Sequence, residues 1–497
     1  MTIFELKSPS KGVCQQESPD AITPASAYDA MNVLPFDRTD RRRISPRPGL
    51  TAVDDTVHIS QFIQSADPSG DPALYGMVPH GGIFMGPTPV GMESIGGGGG
   101  GAINFAVMRG AKVIVGGSGA VTLGTYSGTW TFATLVADTG KGTAPTGCPL
   151  CCVWNDRAVF AATFGQLYMS RIGDPKDWDY SRSDSSAAVS LVPGGSSFVG
   201  GFNDLLKAIV PARDDSLLLF GDHSVYRIAG DPGMGGSCLC ITTEVGIAGP
   251  YAWCRDPSGQ IWFMASTGLY RWTGAGIEPA PTDTNVNLLF AGADGTDPTK
   301  WCMCHDKVRN GFWLFAGSNY LFYDQRMGGF WPITTASAVE GCVAFDGPSL
   351  DDRMTVISLE TGGLSVFDNA APNDAGGNTT AFCWLGPVAP AGAGRRSLLR
   401  SMRFRVGDTY NDLPQEIDWT IAGGRTPDEA IANATAQSLT SLPLSNAYRG
   451  TMAADGMSDW IAARLCCEWV ALRVVSTNTY FALESVELKF DDGGPSR

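Results

Sequence analysis

A hairpin-like pattern that occurs twice near the middle of the chain constrains the fold most strongly. Each copy has a short apolar run, a polar turn, a second run with aromatics, and a Tyr-Arg pair that stands four residues before a closing Gly. The copies span Leu217 to Gly230 and Ile261 to Gly274. Two short apolar runs around a polar turn are typical of a β-hairpin. The pattern therefore predicts a chain built from repeated hairpins.

The hairpin pattern recurs along most of the chain. Its first strands are predicted to begin at intervals of 46, 59, 44, 50 and 43 residues, at Lys112, Ala158, Leu217, Ile261, Gly311 and Met354. Blades of a β-propeller recur at roughly 40–50 residues and contain four strands each. The composition, with 62 Gly, 31 Pro and 10% aromatic residues, also favours many short strands and turns. We predict an all-β fold with a β-propeller of about six blades over residues 56–375.

The two ends of the chain differ from the repeats. Residues 1–55 are polar and rich in Pro at intervals, and they are predicted to form an extended N-terminal arm. Residues 376–497 have longer strand patterns, namely Leu398–Val406, Ile417–Ile421, Trp469–Val475 and Phe481–Phe490. Between these strands, Thr426 followed by Pro427 and two acidic residues is typical of a helix start. This region is predicted to be a C-terminal β-sandwich-like domain.

The net charge of the chain restricts how it can interact with nucleic acid. A formal net charge of -15 argues against a protein that grips DNA through a basic face, although DNA could still pass along an acidic wall. One local basic patch contains Arg38, Arg41, Arg42, Arg43 and Arg47. These side chains either contact phosphates or an acidic partner surface, or pair with the many carboxylates of the chain itself.

The sequence predicts no enzyme, cofactor or metal site. Gly116–Ala120 lacks the final Gly of a hydrolase nucleophile elbow, and none of the four His has a recognisable catalytic context. The single CxxC, Cys148 to Cys151, has no flanking His at zinc-ligand spacing. Gly96–Gly101 is expected to be a surface turn. No signal peptide and no membrane span are predicted. A glycan hydrolase with paired carboxylates remains an open alternative.

Four short sequence segments, which we call phrases, are informative when they are taken together. They are Asn32–Phe36 followed by Arg47–Gly49, then Leu167–Trp178, Leu218–Ile228 and Glu244–Pro250. The phrases resemble the tail-nozzle proteins of short-tailed bacteriophages, which are propeller-bearing proteins also described as tail tubular or packaged-DNA stabilisation proteins. The resemblance covers about residues 30–50 and 155–332, which is less than half of the chain.

The resemblance implies a structural, non-enzymatic role in a virion tail assembled in the host cytoplasm. Such proteins form a ring, usually a hexamer, below the portal and its adaptor, continue the channel for DNA ejection, and hold tail fibres, a spike or a needle. Genomic DNA would pass transiently, without sequence-specific binding. The candidate assembly contacts are then Arg38, Arg41, Arg42, Arg43 and Arg47. The alternative is a glycan hydrolase or lyase, or a glycan-binding module, of a tail.

Overall fold

The structure is a computed structural model with side chains. It describes residues 2–495 except 15–17, 20, 22–24, 80, 99–100, 192–201, 203, 214, 283–289, 291–296, 348–352, 375–376, 408–409, 411–415, 441–443 and 454–455. Within these described ranges, no helix is both long enough and apolar enough to cross a membrane. The His at position 80 and the centre of the six-glycine run lie outside the described residues.

The N-terminal segment contributes strands to both parts of the molecule. Its strands are β1 (Thr2–Lys7), β2 (Ala30–Met31), β3 (Val33–Leu34), β4 (Ser45–Pro46) and β5 (Gly49–Asp54). β1 and β2 are edge strands of the two sandwich sheets, β3 pairs with β4, and β5 is the fourth strand of the last propeller blade. The described part of residues 1–55 does not form a separate arm, because β1 and β2 pair with strands of the sandwich and β5 pairs with a strand of the propeller.

Within the described residues, seven four-stranded antiparallel sheets form the propeller. The strands of blades 1 to 3 are β6 (Gln61–Ala66), β7 (Pro72–Met77), β8 (Gly82–Gly86), β9 (Glu93–Gly97), β10 (Phe105–Met108), β11 (Lys112–Val115), β13 (Thr122–Tyr126), β14 (Trp130–Thr134), β16 (Leu150–Trp154), β17 (Arg157–Ala161), β18 (Leu167–Met169) and β19 (Val189–Leu191). A two-stranded sheet of β12 (Gly117–Ala120) and β15 (Thr146–Cys148) accompanies blade 2.

Blades 4 to 7 follow in chain order. Their strands are β20 (Leu206–Arg213), β21 (Ser216–Gly221), β22 (Val225–Ala229), β23 (Ser237–Thr242), β24 (Trp253–Arg255), β25 (Ile261–Ala265), β26 (Gly268–Trp272), β27 (Ile277–Pro279), β28 (Trp301–Asp306), β29 (Gly311–Ala316), β30 (Asn319–Asp324), β31 (Gly329–Ile333), β32 (Val339–Asp346), β33 (Arg353–Leu359) and β34 (Gly363–Asp368). Blade 7 is completed by β5 from the N-terminal segment.

The first strands lie towards the centre of the ring, where those of most neighbouring blades contact each other, for example β16 with β20 and β28 with β32. The ring closes between β32 of blade 7 and β6 of blade 1. There Gln64 donates from Nε2 to the carbonyl of Asp346 over 2.6 Å and accepts from its N–H over 3.1 Å. Because β5 hydrogen-bonds to β34, the last blade also joins chain segments from both ends of the propeller.

The predicted β-propeller is confirmed, with seven blades where about six were expected. The predicted first strands are in fact the second strands of blades 2 to 7, for example β21 and β25, both of which are entirely buried. Second strands have a neighbour on each side, so they carry the strongest apolar signal. Blade 1 was missed because its second strand, β7, contains Pro72 and Gly76 and gives a weak strand pattern.

Two further sheets form the C-terminal sandwich. Their strands and helix are β35 (Thr380–Val388), β36 (Arg395–Val406), β37 (Glu416–Gly424), α1 (Pro427–Ser438), β38 (Ala447–Ala453), β39 (Ile461–Cys467), β40 (Trp469–Thr477) and β41 (Leu483–Pro495). One sheet has the order β1-β41-β36-β39 and the other β2-β35-β40-β37-β38. As predicted, Thr426 caps α1 by accepting from the N–H of Glu429 over 3.1 Å. The helix packs on the second sheet.

The propeller and the sandwich share one hydrophobic core. This core contains Trp313, Trp331 and Phe367 from blades 6 and 7 together with sandwich residues such as Leu472 and Leu483. The rings of Trp313 and Phe367 stack with centroids 4.0 Å apart. Since fully buried aromatic residues dominate the energetics of a core, the two parts are expected to move as one body.

Candidate functional site

Arg47 is buried at the junction between the propeller and the sandwich. Its Nη1 and Nη2 atoms donate to the two carboxylate oxygens of Asp374 over 2.9 and 2.6 Å. Its Nε donates to Oδ1 of Asn32 over 3.2 Å, and the carbonyls of Pro48 and Thr334 accept over 2.7 and 2.6 Å. A buried guanidinium with a bidentate carboxylate and three further acceptors is fully compensated. We call this arrangement the Arg47 clamp.

Asn32 and Gly49 complete the Arg47 clamp. Asn32 donates from Nδ2 to Oγ1 of Thr334 over 2.8 Å and to the carbonyl of Thr380 over 3.0 Å, so it connects the end of blade 6 to the first strand of the sandwich. Its φ of 56° lies in the left-handed region, which Asn tolerates better than most residues. A Cβ atom on Gly49 would overlap the backbone of Asn373. The phrase at 32–49 therefore folds into a single junction.

Arg38 is a second link between the two parts. Its guanidinium lies 4.9 Å from the ring centre of Tyr480 in the sandwich, and it donates to the carbonyls of Asn369 and Ala371 after blade 7. Burial lowers the pKa of Arg38 to about 10, so it remains charged at neutral pH. The cation is stabilised by the aromatic face and by the carbonyl dipoles.

The remaining arginines of the patch are closer to solvent. Arg43 forms ion pairs with Asp37 over 3.5 Å and with Glu484 over 3.3 Å. The exposed Arg42 donates to Oγ of Ser10 over 2.6 Å, and Arg41 is also exposed. Asp37 is buried, whereas Glu484 is partly exposed, so the pair with Glu484 contributes little to stability.

The structure thus divides the five predicted assembly contacts into two groups. Arg38, Arg43 and Arg47 make contacts within the chain, so pairing with the chain's own groups accounts for them. Arg41 and Arg42 are exposed and stay predicted assembly contacts, and Arg42 also forms a hydrogen bond with Ser10 within the chain. Sequence reasoning missed Asp374, which lies 327 positions from its partner in a turn-rich segment without any pattern.

A small cavity of about 70 Å³ lies beside the Arg47 clamp, where Phe36, Arg38, Arg309 and Arg326 contribute to its lining. The guanidinium of Arg326 stacks 3.5 Å from the ring centre of Phe36 and pairs with Asp324 over 2.9 Å. Sites for drug-sized ligands have volumes of about 300–1,000 Å³. This cavity is therefore large enough only for water or a small ion.

Two buried carboxylates hold the turns at the ends of the first strands in blades 5 and 6. Oδ2 of Asp256 accepts from the indole N–H of Trp262 over 3.1 Å. Oδ2 of Asp306 accepts from the indole of Trp313 over 2.8 Å and from Arg309 over 2.6 Å. Burial by itself would raise the pKa of Asp306, but Arg309 and the indole outweigh it and hold that pKa below its usual value. A carboxyl group in this state is ionised at neutral pH and is unsuited to be a general acid.

The thiols of the CxxC are structural groups in a dry environment. Cys148 and Cys151 are both buried, and burial raises the pKa of Cys148 to about 12, which suppresses the reactive thiolate. Across the part of the chain that the structure describes, no group of three or more His, Cys, Asp or Glu is arranged to hold a metal ion.

The three described histidines lie apart from one another in the propeller. His223 is exposed in the turn between β21 and β22, 3.5 Å from Asp222. His305 is buried in β28, and burial lowers its pKa. His58 bonds through Nδ1 to the carbonyl of Leu359 over 2.9 Å.

The chain was compared with known proteins. No family model matches it, and no curated protein matches it. Solved β-propellers are similar to it. Virginiamycin B lyase from Staphylococcus aureus is 9% identical with a TM-score of 0.40, covering 64% of this chain and 97% of the lyase. YCF48 from Cyanidioschyzon merolae is 11% identical with a TM-score of 0.38, covering 64% of this chain and 98% of that one. At these identities the likeness concerns the fold alone. The sheet topology itself shows that the chain is a β-propeller with an appended β-sandwich.

Proposed function

We propose that this chain is a structural nozzle protein of the tail of a short-tailed bacteriophage. In this role it forms a ring below the portal and adaptor, extends the channel through which DNA is ejected, and docks a fibre, spike or needle. The observation that carries the proposal is structural: the phrases that resemble the nozzle proteins contain residues that fix the domain junction and the positions of the blades.

The first phrase supplies the joint between the two domains. Asn32 and Arg47 are buried and bind each other, Asp374 and Thr334, and Gly49 passes so close to the backbone that a side chain would not fit. These residue types at this spacing are therefore required by the propeller–sandwich junction. A shared phrase with such a demanding structural role supports a shared architecture.

The later phrases also set backbone geometry. Trp178 is buried and donates from its indole to the carbonyl of Pro175 over 3.0 Å, which fixes the turn at the end of its phrase. Gly246 packs against the backbone of Asp222, where a Cβ would overlap, and the neighbouring Ile247 is buried between blades 4 and 5. These residues position blades relative to each other.

The mechanical and electrostatic properties fit a conduit wall. A continuous core across the propeller and the sandwich gives a stiff subunit, which a wall under internal pressure would need. A net charge of -15 disfavours adhesion of the DNA phosphates, so DNA can slide past such a surface.

The oligomeric state of the purified chain tests the proposal. We expect analytical ultracentrifugation at micromolar concentration to show a closed oligomer, and negative-stain images to show a ring with an axial channel. A monodisperse monomer under these conditions would contradict the proposal. Release of reducing sugar by that monomer from host envelope would favour the alternative, a glycan hydrolase.

A further inference from the structure

One outer face of the sandwich is basic and uncovered. The sheet of β36, β39 and β41 turns its other face to the core, while α1 covers only the opposite sheet. Burial alternates along these strands, so their polar side chains point away from the core. We define the basic face by six cations, which are Arg396, Arg400, Arg403, Arg405, Arg464 and Lys489.

Among the described residues, half of the cations on the basic face have no carboxylate partner. Arg400 pairs with Asp491 over 2.7 Å, and Arg403 pairs with Glu487 over 2.7 Å. Arg405 lies 3.6 Å from Glu484. Six cations and three carboxylates leave a net charge of +3. The three cations without a carboxylate partner among the described residues are Arg396, Arg464 and Lys489.

The basic face also contains an aromatic anchor. The ammonium of Lys489 lies 3.4 Å and the guanidinium of Arg403 4.6 Å from the ring centre of the half-exposed Trp460. Ile3, on the edge strand β1, is 55% exposed beside Lys489 in the strand register. Tryptophan and arginine are both enriched among the energetic hot spots of protein interfaces, and here Trp460 and Arg403 are in contact.

A surface of opposite charge lies on the propeller of the same chain. At one end of blade 7, Asp54 ends β5 and Asp55 follows it, Glu340 is the second residue of β32, and Glu360 occupies the turn between β33 and β34. These four carboxylates form what we call the acidic rim. His58 lies 3.7 Å from Glu340 and is a positive group only when protonated.

We propose that the basic face of one copy docks on the acidic rim of a second copy. This inference rests on the proposed function and names its interface. Because the face carries +3 of a total of -15, the rest of the chain carries -18, so another copy is a complementary partner. The two surfaces differ, so the contact is head-to-tail and produces a ring where the rotation closes, or a filament where it does not.

Charge reversal tests the interface. In Arg396→Glu/Arg464→Glu, which changes a partly exposed and an exposed residue, we expect association of the full chain to weaken at least tenfold in sedimentation equilibrium. The matched control Arg425→Glu/Arg449→Glu has the same charge change near the helix side of the sandwich, and its association should change less than twofold. Thermal unfolding of each variant verifies that it is folded.

A charge swap provides the decisive measurement. Asp55→Lys/Glu360→Lys should also be unable to assemble alone, yet it should assemble when mixed with Arg396→Glu/Arg464→Glu, because each reversed surface then meets its complement. Assembly of the face variant equal to that of its control would overturn this inference and leave the ring intact. Open filaments built through the same contact would uphold the inference and refute the ring.

Two other outcomes also overturn the inference. If the wild type is a monomer at all concentrations, both the proposed ring and the proposed interface are refuted. Retention of a 30-base-pair DNA duplex by the wild type, lost in the face variant and without self-association, would assign the basic face to nucleic acid.

Discussion

Removing the charge of Arg47 should break the joint between propeller and sandwich. Arg47→Met keeps much of the aliphatic stem but leaves the carboxylate of Asp374, 5% exposed, without its bidentate partner. It also removes one of the two hydrogen bonds that Oδ1 of the buried Asn32 accepts, while the bond from the N–H of Thr334 stays. Breaking a buried ion pair by removing one partner costs about 3–5 kcal/mol, because the other charge stays buried. A loss of this size is a large fraction of the stability of an ordinary domain.

The measurement is calorimetric unfolding combined with urea titration followed by tryptophan fluorescence. Trp313 and Trp331 lie in the core shared by the two domains, so they report on its disruption. Because a protein of this size can leave two-state behaviour, we expect the calorimetric transition of Arg47→Met to shift down and broaden or split. Arg41→Met, an exposed change in the same patch, should alter the free energy of unfolding by no more than about 0.5 kcal/mol.

A double variant separates the interaction energy of the Arg47–Asp374 pair from the contributions of its two residues. In Arg47→Met/Asp374→Leu no carboxylate is left unpaired. The double variant should therefore lose less free energy of unfolding than the two single variants lose in sum, with a coupling energy of about 0.5–3 kcal/mol. If the free energies of unfolding of Arg47→Met and Arg41→Met differ by less than about 1 kcal/mol, the Arg47 clamp does not hold the domains together, and the reasoning is refuted.

Three further outcomes are expected. Gly49→Ala should destabilise the protein by about 1–3 kcal/mol because its Cβ would overlap the opposing backbone, while Gly119→Ala, which faces open space, should be near neutral; equal melting temperatures would contradict this. Maleimide should label Cys240 and Cys466 rapidly in the native protein because both are exposed, and rapid native labelling of the buried thiols would contradict the structure. The folded-state pKa of Asp306 is lowered, so its stabilisation is present above the unfolded pKa of about 4 and is lost as pH falls through the lower folded value. Asp306→Asn should therefore flatten the loss of melting temperature between pH 5 and 2, and an unchanged slope would refute the assignment.

The candidate site could be predicted only in part. The sequence singled out the basic residues from Arg38 to Arg47, and two of them, Arg41 and Arg42, are on the surface. Arg47 became an internal clamp because its partner Asp374 comes from the far end of the propeller, and no local pattern marks such a pair. The basic face was also hidden, since Arg396 and Arg464 lie on strands that become neighbours only when the sandwich folds.

The sequence by itself determined the repeated hairpins, the all-β class and the cap of the helix at Thr426. These features depend on local burial and local hydrogen bonds, so they leave a period or a spacing in the chain. Only the tertiary structure decided that blade 1 exists despite the weak strand at Pro72–Met77, and that β5 closes blade 7 while β1 joins the sandwich. The packing of whole sheets selects which distant strands pair, and the sequence of a short segment does not specify its partner strand.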